Sequence, residues 1–126
     1  MKNKIILVSG DPNSINSEII YKTWKKLNKS LKRRTFVISN TDLLTKQFKK
    51  LKYSIKVKTV NNLNQKISHN CLKVLNIAVA FKNPFNVNKK NSSKFVIDCL
   101  NYAHKLSLHN SDVGIINCPI NKNLLK

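Results

Sequence analysis

The chain has 126 residues, with 24 Lys and Arg against 5 Asp and Glu for a formal net charge of +19, and 41% of its residues are hydrophobic. At ~100–200 residues per domain this length gives one domain or part of a larger one, and the apolar content suffices for a packed core, which argues against disorder despite the charge. The composition excludes collagen, coiled coil and disulfide-rich secreted scaffolds, and no apolar run approaches the ~18 residues of a membrane span.

Residues 5–9, Ile-Ile-Leu-Val-Ser, read as a strand buried on both faces. Their short apolar stretch, with no small-residue cleavage site after it, does not make a secretory leader. Gly10-Asp11-Pro12-Asn13 punctuates the strand, and Ser14 or Asn16 is placed to cap a helix. In that helix Ile15, Ile19, Ile20, Trp24, Leu27 and Leu31 recur at helical spacing, while Lys22, Lys25, Lys26 and Lys29 face out. Residues 35–39 form a second strand, and Asn40 or Thr41 caps a helix with Leu44, Phe48 and Leu51 on one side and Asp42 in its first turn. Ile55, Val57 and Val60 alternate with Lys56 and Lys58, as on a half-exposed strand near a sheet edge. Residues 74–81 are the next apolar run. Asn91, Ser92 and Ser93 open a long helix that Asn110 ends, with Phe95, Val96, Cys99, Leu100, Ala103 and Leu106 on its apolar face. Residues 113–117 form a last strand, leading into Cys118-Pro119-Ile120-Asn121-Lys122. Alternating strands and helices predict an α/β fold of three α/β/α layers with a largely parallel sheet.

The charge first suggests nucleic acid, because cations that release counterions from phosphates drive non-specific binding. Its details point elsewhere. All the cations except Arg33 and Arg34 are lysine, and they are spread along the chain, whereas base readout and bidentate phosphate contacts favour guanidinium. Abundant Lys and Asn with only 2 Gly is what an AT-rich coding sequence produces. The charge reads as a solvated surface, with residues 25–34 the densest run and a candidate anionic contact. A small Lys-rich nucleic-acid-binding domain is kept as the alternative function.

Residues 10–18 join a strand to a helix at the carboxyl edge of the predicted sheet, where ligands bind in open α/β folds. Gly10 stands alone there, so the loop is neither a P-loop nor G-x-G-x-x-G. The bland reading is a turn with a capping box of Ser14 or Ser17 with Glu18. The segment 117–122 leaves its own strand at the same edge, where Pro119 fixes a turn and Lys122 offers a cation to an anion. The coincidence of the two loops is the local sign of a ligand cleft.

Metal chemistry is not signalled. His104 and His109 lie about 140° apart around a helix, too far to share an ion, and His69 with Cys71 lacks a second cysteine pair. Cys99 falls on an apolar face and reads as core. Cys118, between a strand and Pro119, is a conceivable reactive thiol with no His or Lys close in sequence. Three unpaired cysteines suit a reducing compartment, so the cytoplasm is the expected location.

Two of these segments together resemble the 4-hydroxythreonine-4-phosphate dehydrogenase family of pyridoxine biosynthesis. The family opens with a strand and a Gly-Asp/Glu-Pro-Ala-Gly-Ile-Gly-Pro-Glu loop, matched here by Gly10-Asp11-Pro12-Asn13-Ser14-Ile15-Asn16-Ser17-Glu18. Its later helix, strand and Pro-Ile-Asn-Lys segment are matched by residues 92–108 followed by Asp112-Val113-Gly114-Ile115-Ile116-Asn117-Cys118-Pro119-Ile120-Asn121-Lys122. Residues 40–75 match only in their pattern of elements, and Ser14 and Asn16 stand where the family has glycines.

The resemblance implies the first domain of an isocitrate/isopropylmalate dehydrogenase-like fold, with residues 1–126 as a single, incomplete domain of a two-domain, homodimeric enzyme. It implies an oxidoreductase of pyridoxal phosphate biosynthesis that takes a phosphorylated substrate, with NAD and a divalent metal such as zinc, magnesium or cobalt as cofactors. The family's Gly-His-Thr-Glu segment and its three metal-binding histidines come after Pro-Ile-Asn-Lys. This chain alone is therefore expected to hold no catalytic or metal-binding residue, to bind no cofactor and to be inactive, and a degenerate α/β domain is a third reading. Only Asp11, Asn121 and Lys122 carry over, as substrate-edge candidates. No membrane or nucleic-acid partner is implied.

Overall fold

The structure is a computed structural model, and it describes residues 3–65, 67–68 and 70–118. The strands are β1 (Lys4–Val8), β2 (Thr35–Ser39), β3 (Lys56–Val60), β4 (Cys71–Asn76) and β5 (Val113–Asn117). They form one sheet in the order β3-β4-β2-β1-β5, and each neighbouring pair is parallel. The helices are α1 (Asn16–Lys26), α2 (Lys29–Arg34), α3 (Thr41–Lys50) and α4 (Lys89–His109). Among the described residues no helix is long and apolar enough to cross a membrane.

Period-two alternation along the strands builds two cores, one on each face of the sheet. Leu7, Val37, Leu72 and Val74 meet Ile20 and Trp24 of α1 and Leu44 and Phe48 of α3. Ile6, Val8, Phe36, Ile38 and Leu75 point the other way, toward Phe95, Cys99 and Ala103 of α4. The result is the expected α/β/α sandwich. Burying one such large side chain is worth ~1.5–3 kcal/mol, so the two-sided burial of β1, β2 and β4 explains why these strands read as near-continuous apolar runs. β3 has a neighbour on one side only and its Lys56 and Lys58 are exposed, as expected of an edge.

Four local readings need correction. The long first helix is two helices. Leu27 turns extended (ψ 141°), and the Asn28 side chain accepts the Leu31 N–H at 2.9 Å to start α2. An asparagine within a helical run offers the backbone this alternative. The capping box is absent: Ile15 occupies the N-cap position of α1 without a side-chain cap, and Glu18 instead pairs with Lys22 and accepts from the Tyr53 hydroxyl. The fourth strand covers Cys71–Asn76 and not residues 74–81, because its pairing with β2 ends at Ser39 and Asn76, whose side chain turns to the Thr41 N–H. The last helix starts at Lys89, two residues early, because Asn88 caps it by accepting the Asn91 N–H.

Candidate functional site

The order β3-β4-β2-β1-β5 puts β2, β4 and β3 on one side of β1, while the chain returns through α4 to lay β5 on the other side. The strand order thus reverses between β1 and β5, and open α/β sheets bind ligands at the carboxyl ends beside such a switch. Val8 is paired with Asn117, and the Cys118 N–H donates to the Val8 carbonyl at 2.9 Å. The segments leaving β1 and β5 therefore start side by side.

The loop after β1 is built by its own polar groups. Gly10 takes a positive φ of 71°, a conformation that glycine adopts without a steric penalty. Asp11 is buried, and its carboxylate accepts the Asn13 N–H at 2.9 Å, an Asx turn. The Ser14 hydroxyl donates to the Asp11 carbonyl at 2.7 Å and accepts the Asn16 N–H at 3.2 Å. The Asn16 amide is buried and donates to the Ser9 carbonyl at 2.9 Å. Ser14 and Asn16, at the positions where the resembled family has glycine, thus bind the loop to itself through side chains.

Two further amides tie this loop to the segment entering α4. Asn13 donates to the Val87 carbonyl and accepts the Val87 N–H, both at 2.7 Å. Gln47 of α3, 4% exposed, donates to the Pro12 and Pro84 carbonyls at 2.8 and 2.7 Å. Neither residue stands out in the sequence. Their signal is only that an amide faces the turn-rich segments, and a buried glutamine on an otherwise apolar helix face must have partners. Beside the loop lies an open cavity of about 360 Å³, bounded by Asn13, Ser14, exposed Ile15, Glu18, Leu51 and Phe85. Among the described residues its lining holds no cation.

Of the substrate-edge candidates, Asp11 sits in the loop with its carboxylate engaged in the turn, whereas Asn121 and Lys122 lie outside the described residues, as do Pro119 and His69. His104 and His109 are exposed on α4. Cys71, Cys99 and Cys118 are free thiols, all buried. Burial, with Asp98 adding to it, pushes the Cys99 thiol up to about 12, and burial also raises Cys118, which opposes thiolate chemistry at either residue. Among the described residues no three His, Cys, Asp or Glu come together to hold a metal ion. The metal centre that the resemblance implies does not fit these residues.

No family model matches the chain, and no curated protein matches it in sequence. Solved structures do. The chain superposes on a 4-hydroxythreonine-4-phosphate dehydrogenase from Burkholderia phymatum with a TM-score of 0.85 and 15% identity, over 99% of this chain and 38% of that one. The enzyme of the same name from Klebsiella pneumoniae gives a TM-score of 0.83 and 20% identity, over 99% of this chain and 39% of that one. The chain thus spans about two fifths of the length of these structures and shares their fold over that portion, consistent with the N-terminal portion that the ordered motifs imply.

Proposed function

We propose that this chain forms the first α/β/α unit of an NAD-dependent 4-hydroxythreonine-4-phosphate dehydrogenase, active in the cytoplasm as a homodimer. The observation that carries the reading is the pair of segments leaving β1 and β5 side by side where the strand order reverses, with the two family-like motifs on them. The reaction is oxidation of a phosphorylated hydroxy amino acid. The carbinol carbon gives a hydride to NAD and its hydroxyl gives a proton, and the resulting β-keto acid then loses carbon dioxide. In such enzymes a divalent metal would polarise the reacting oxygen, and the histidines that would hold it come, by the resemblance, after the Pro-Ile-Asn-Lys segment.

This unit contributes one wall of the cleft. Its loop after β1 is preorganised by Asp11, Ser14 and Asn16, so it meets substrate with little left to order. Lys122 and Asn121 supply a cation and an amide to the phosphorylated substrate, and Asp11 acts by holding the loop. The test is to express the whole reading frame that contains this chain and follow NADH formation with 4-phosphooxy-threonine. The reading expects activity, with Lys122→Ala raising KM at least tenfold. An inert product that still carries Gly-His-Thr and the later histidines would overturn it in favour of a degenerate domain.

A further inference from the structure

The amino edge of the sheet, opposite the loops just described, holds a cavity of about 350 Å³. Four cations line it: Lys4 at the start of β1, Arg33 and Arg34 at the end of α2, and Lys73 in β4. Its apolar lining is Leu63 and Ile67, with Phe36 beneath Lys73. We propose that this cleft binds a phosphomonoester with an apolar body, at a site separate from the dehydrogenase edge.

Two of the cations lining this cleft are buried in whole or in part. Lys73 is 3% exposed, in a central strand, and lies directly opposite Phe36 in the pairing of β2 with β4. Its ammonium lies 4.0 Å from the Phe36 ring centroid and donates to the Arg33 carbonyl. An ammonium carries three donors, and among the described residues the Arg33 carbonyl is the hydrogen-bond acceptor it meets. Burial, then the nearby Lys4, pushes this lysine below its ordinary value, so the charged form lacks an anionic partner. Arg34 donates from Nη1 to the Asn3 carbonyl at 2.9 Å, while its Nε is buried with no hydrogen-bond partner among the described residues. Lys4 is compensated by Asp112 at 3.4 Å. A buried donor without a partner is costly, and Arg34 and buried Lys73 line the same cavity.

A phosphate dianion is the acceptor that fits both a guanidinium fork and a point-charge ammonium. The apolar wall takes the rest of the molecule. A nucleic-acid strand fits less well, because strand binding needs exposed aromatic faces along a continuous groove. Here Phe36 is 2% exposed and covered by Lys73.

The chain contains two arginines, so an amide-type correlation spectrum carries two Nε–H signals, which Arg33→Gln assigns. Titrating the folded chain with phenyl phosphate is expected to move the Arg34 Nε–H signal saturably at one equivalent per chain, with inorganic phosphate binding more weakly. Arg34→Lys and Lys73→Met should each weaken binding about tenfold, as loss of one charge-assisted hydrogen bond would. Exposed Lys105→Gln should change nothing, and the backbone spectrum reports that each variant is folded. The proposal is overturned if the Arg34 signal does not saturate, if Lys105→Gln weakens binding equally, or if a single-stranded oligonucleotide displaces phenyl phosphate with an affinity that grows with its length.

Discussion

Replacing Gln47 with leucine keeps the volume of a 4%-exposed side chain and removes its two donated hydrogen bonds. The acceptors left behind are the carbonyls of Pro12 and Pro84, and both prolines are buried. A buried polar group stripped of its partner costs ~1–3 kcal/mol, and leucine returns part of this as apolar burial on α3. The expected net loss is ~2–4 kcal/mol, a large share of the 5–15 kcal/mol that holds a typical domain together. Urea denaturation of the chain measures it as a lower midpoint at unchanged slope. Glutamate at the same position separates hydrogen bonding from shape. Its carboxylate would face two carbonyls, so Gln47→Glu should be less stable than Gln47→Leu at neutral pH. It should recover as pH falls, because a carboxyl with a raised native value binds its proton before the unfolded chain does. A Gln47→Leu variant within ~0.5 kcal/mol of the parent would mean that neither carbonyl depends on Gln47, and that the two loops are not held through α3.

Two further outcomes follow from buried titratable groups. Lys73 has a lowered native value against 10.5 for an ordinary lysine, so the unfolded chain holds the extra proton in the alkaline window below 10.5. Stability should therefore gain a rising component as pH climbs through that window. Lys73→Met should lack this component when the two urea midpoints are subtracted, and a difference independent of pH would refute it. With Cys99 pushed up to about 12 and Cys118 also raised by burial, a disulfide reagent at neutral pH should label neither thiol in the folded chain and both once urea unfolds it. Rapid native labelling of Cys118 would revive it as a reactive thiol.

What could be read in the sequence depended on how far each element's physics was local. The strands 35–39 and 113–117 are apolar runs closed by capping residues, Asn40 and the turn before Val113, and their limits agree with β2 and β5. The edge position of β3 was legible because lysines alternate with apolar residues. The start of β4 was not, because Lys73 interrupts its run and a lysine in a central strand is the least expected of buried residues. Only the tertiary fold supplies the Phe36 ring and the Arg33 carbonyl that make its burial tolerable. The same holds for the loop after β1. Gly10 and Asp11 announce a turn, but the partners of Asn13 and Gln47 lie 74 and about 35 residues away in sequence.

The +19 charge takes on a different meaning once the donors are placed. Glu18, Asp42, Asp98 and Asp112 each sit within 4 Å of a lysine, and Asp11 is engaged in its own turn. Most remaining lysines are exposed, where water solvates them and screening makes each worth little. Net charge therefore says little about partners here, and unsatisfied buried donors say more. At the carboxyl edge the polar groups of the loop after β1 are spent on one another, and among the described residues its cavity holds no cation. At the amino edge the Arg34 Nε is buried without a hydrogen-bond partner among the described residues, and Lys73 is buried against Phe36. Two lysine-rich surfaces of equal charge would bind anions alike, but a desolvated donor gains more from an anion than a hydrated one. The selectivity of the amino-edge cleft for phosphate should accordingly rest on Arg34 and Lys73, and removing an exposed lysine away from it, such as Lys105, should leave it unchanged.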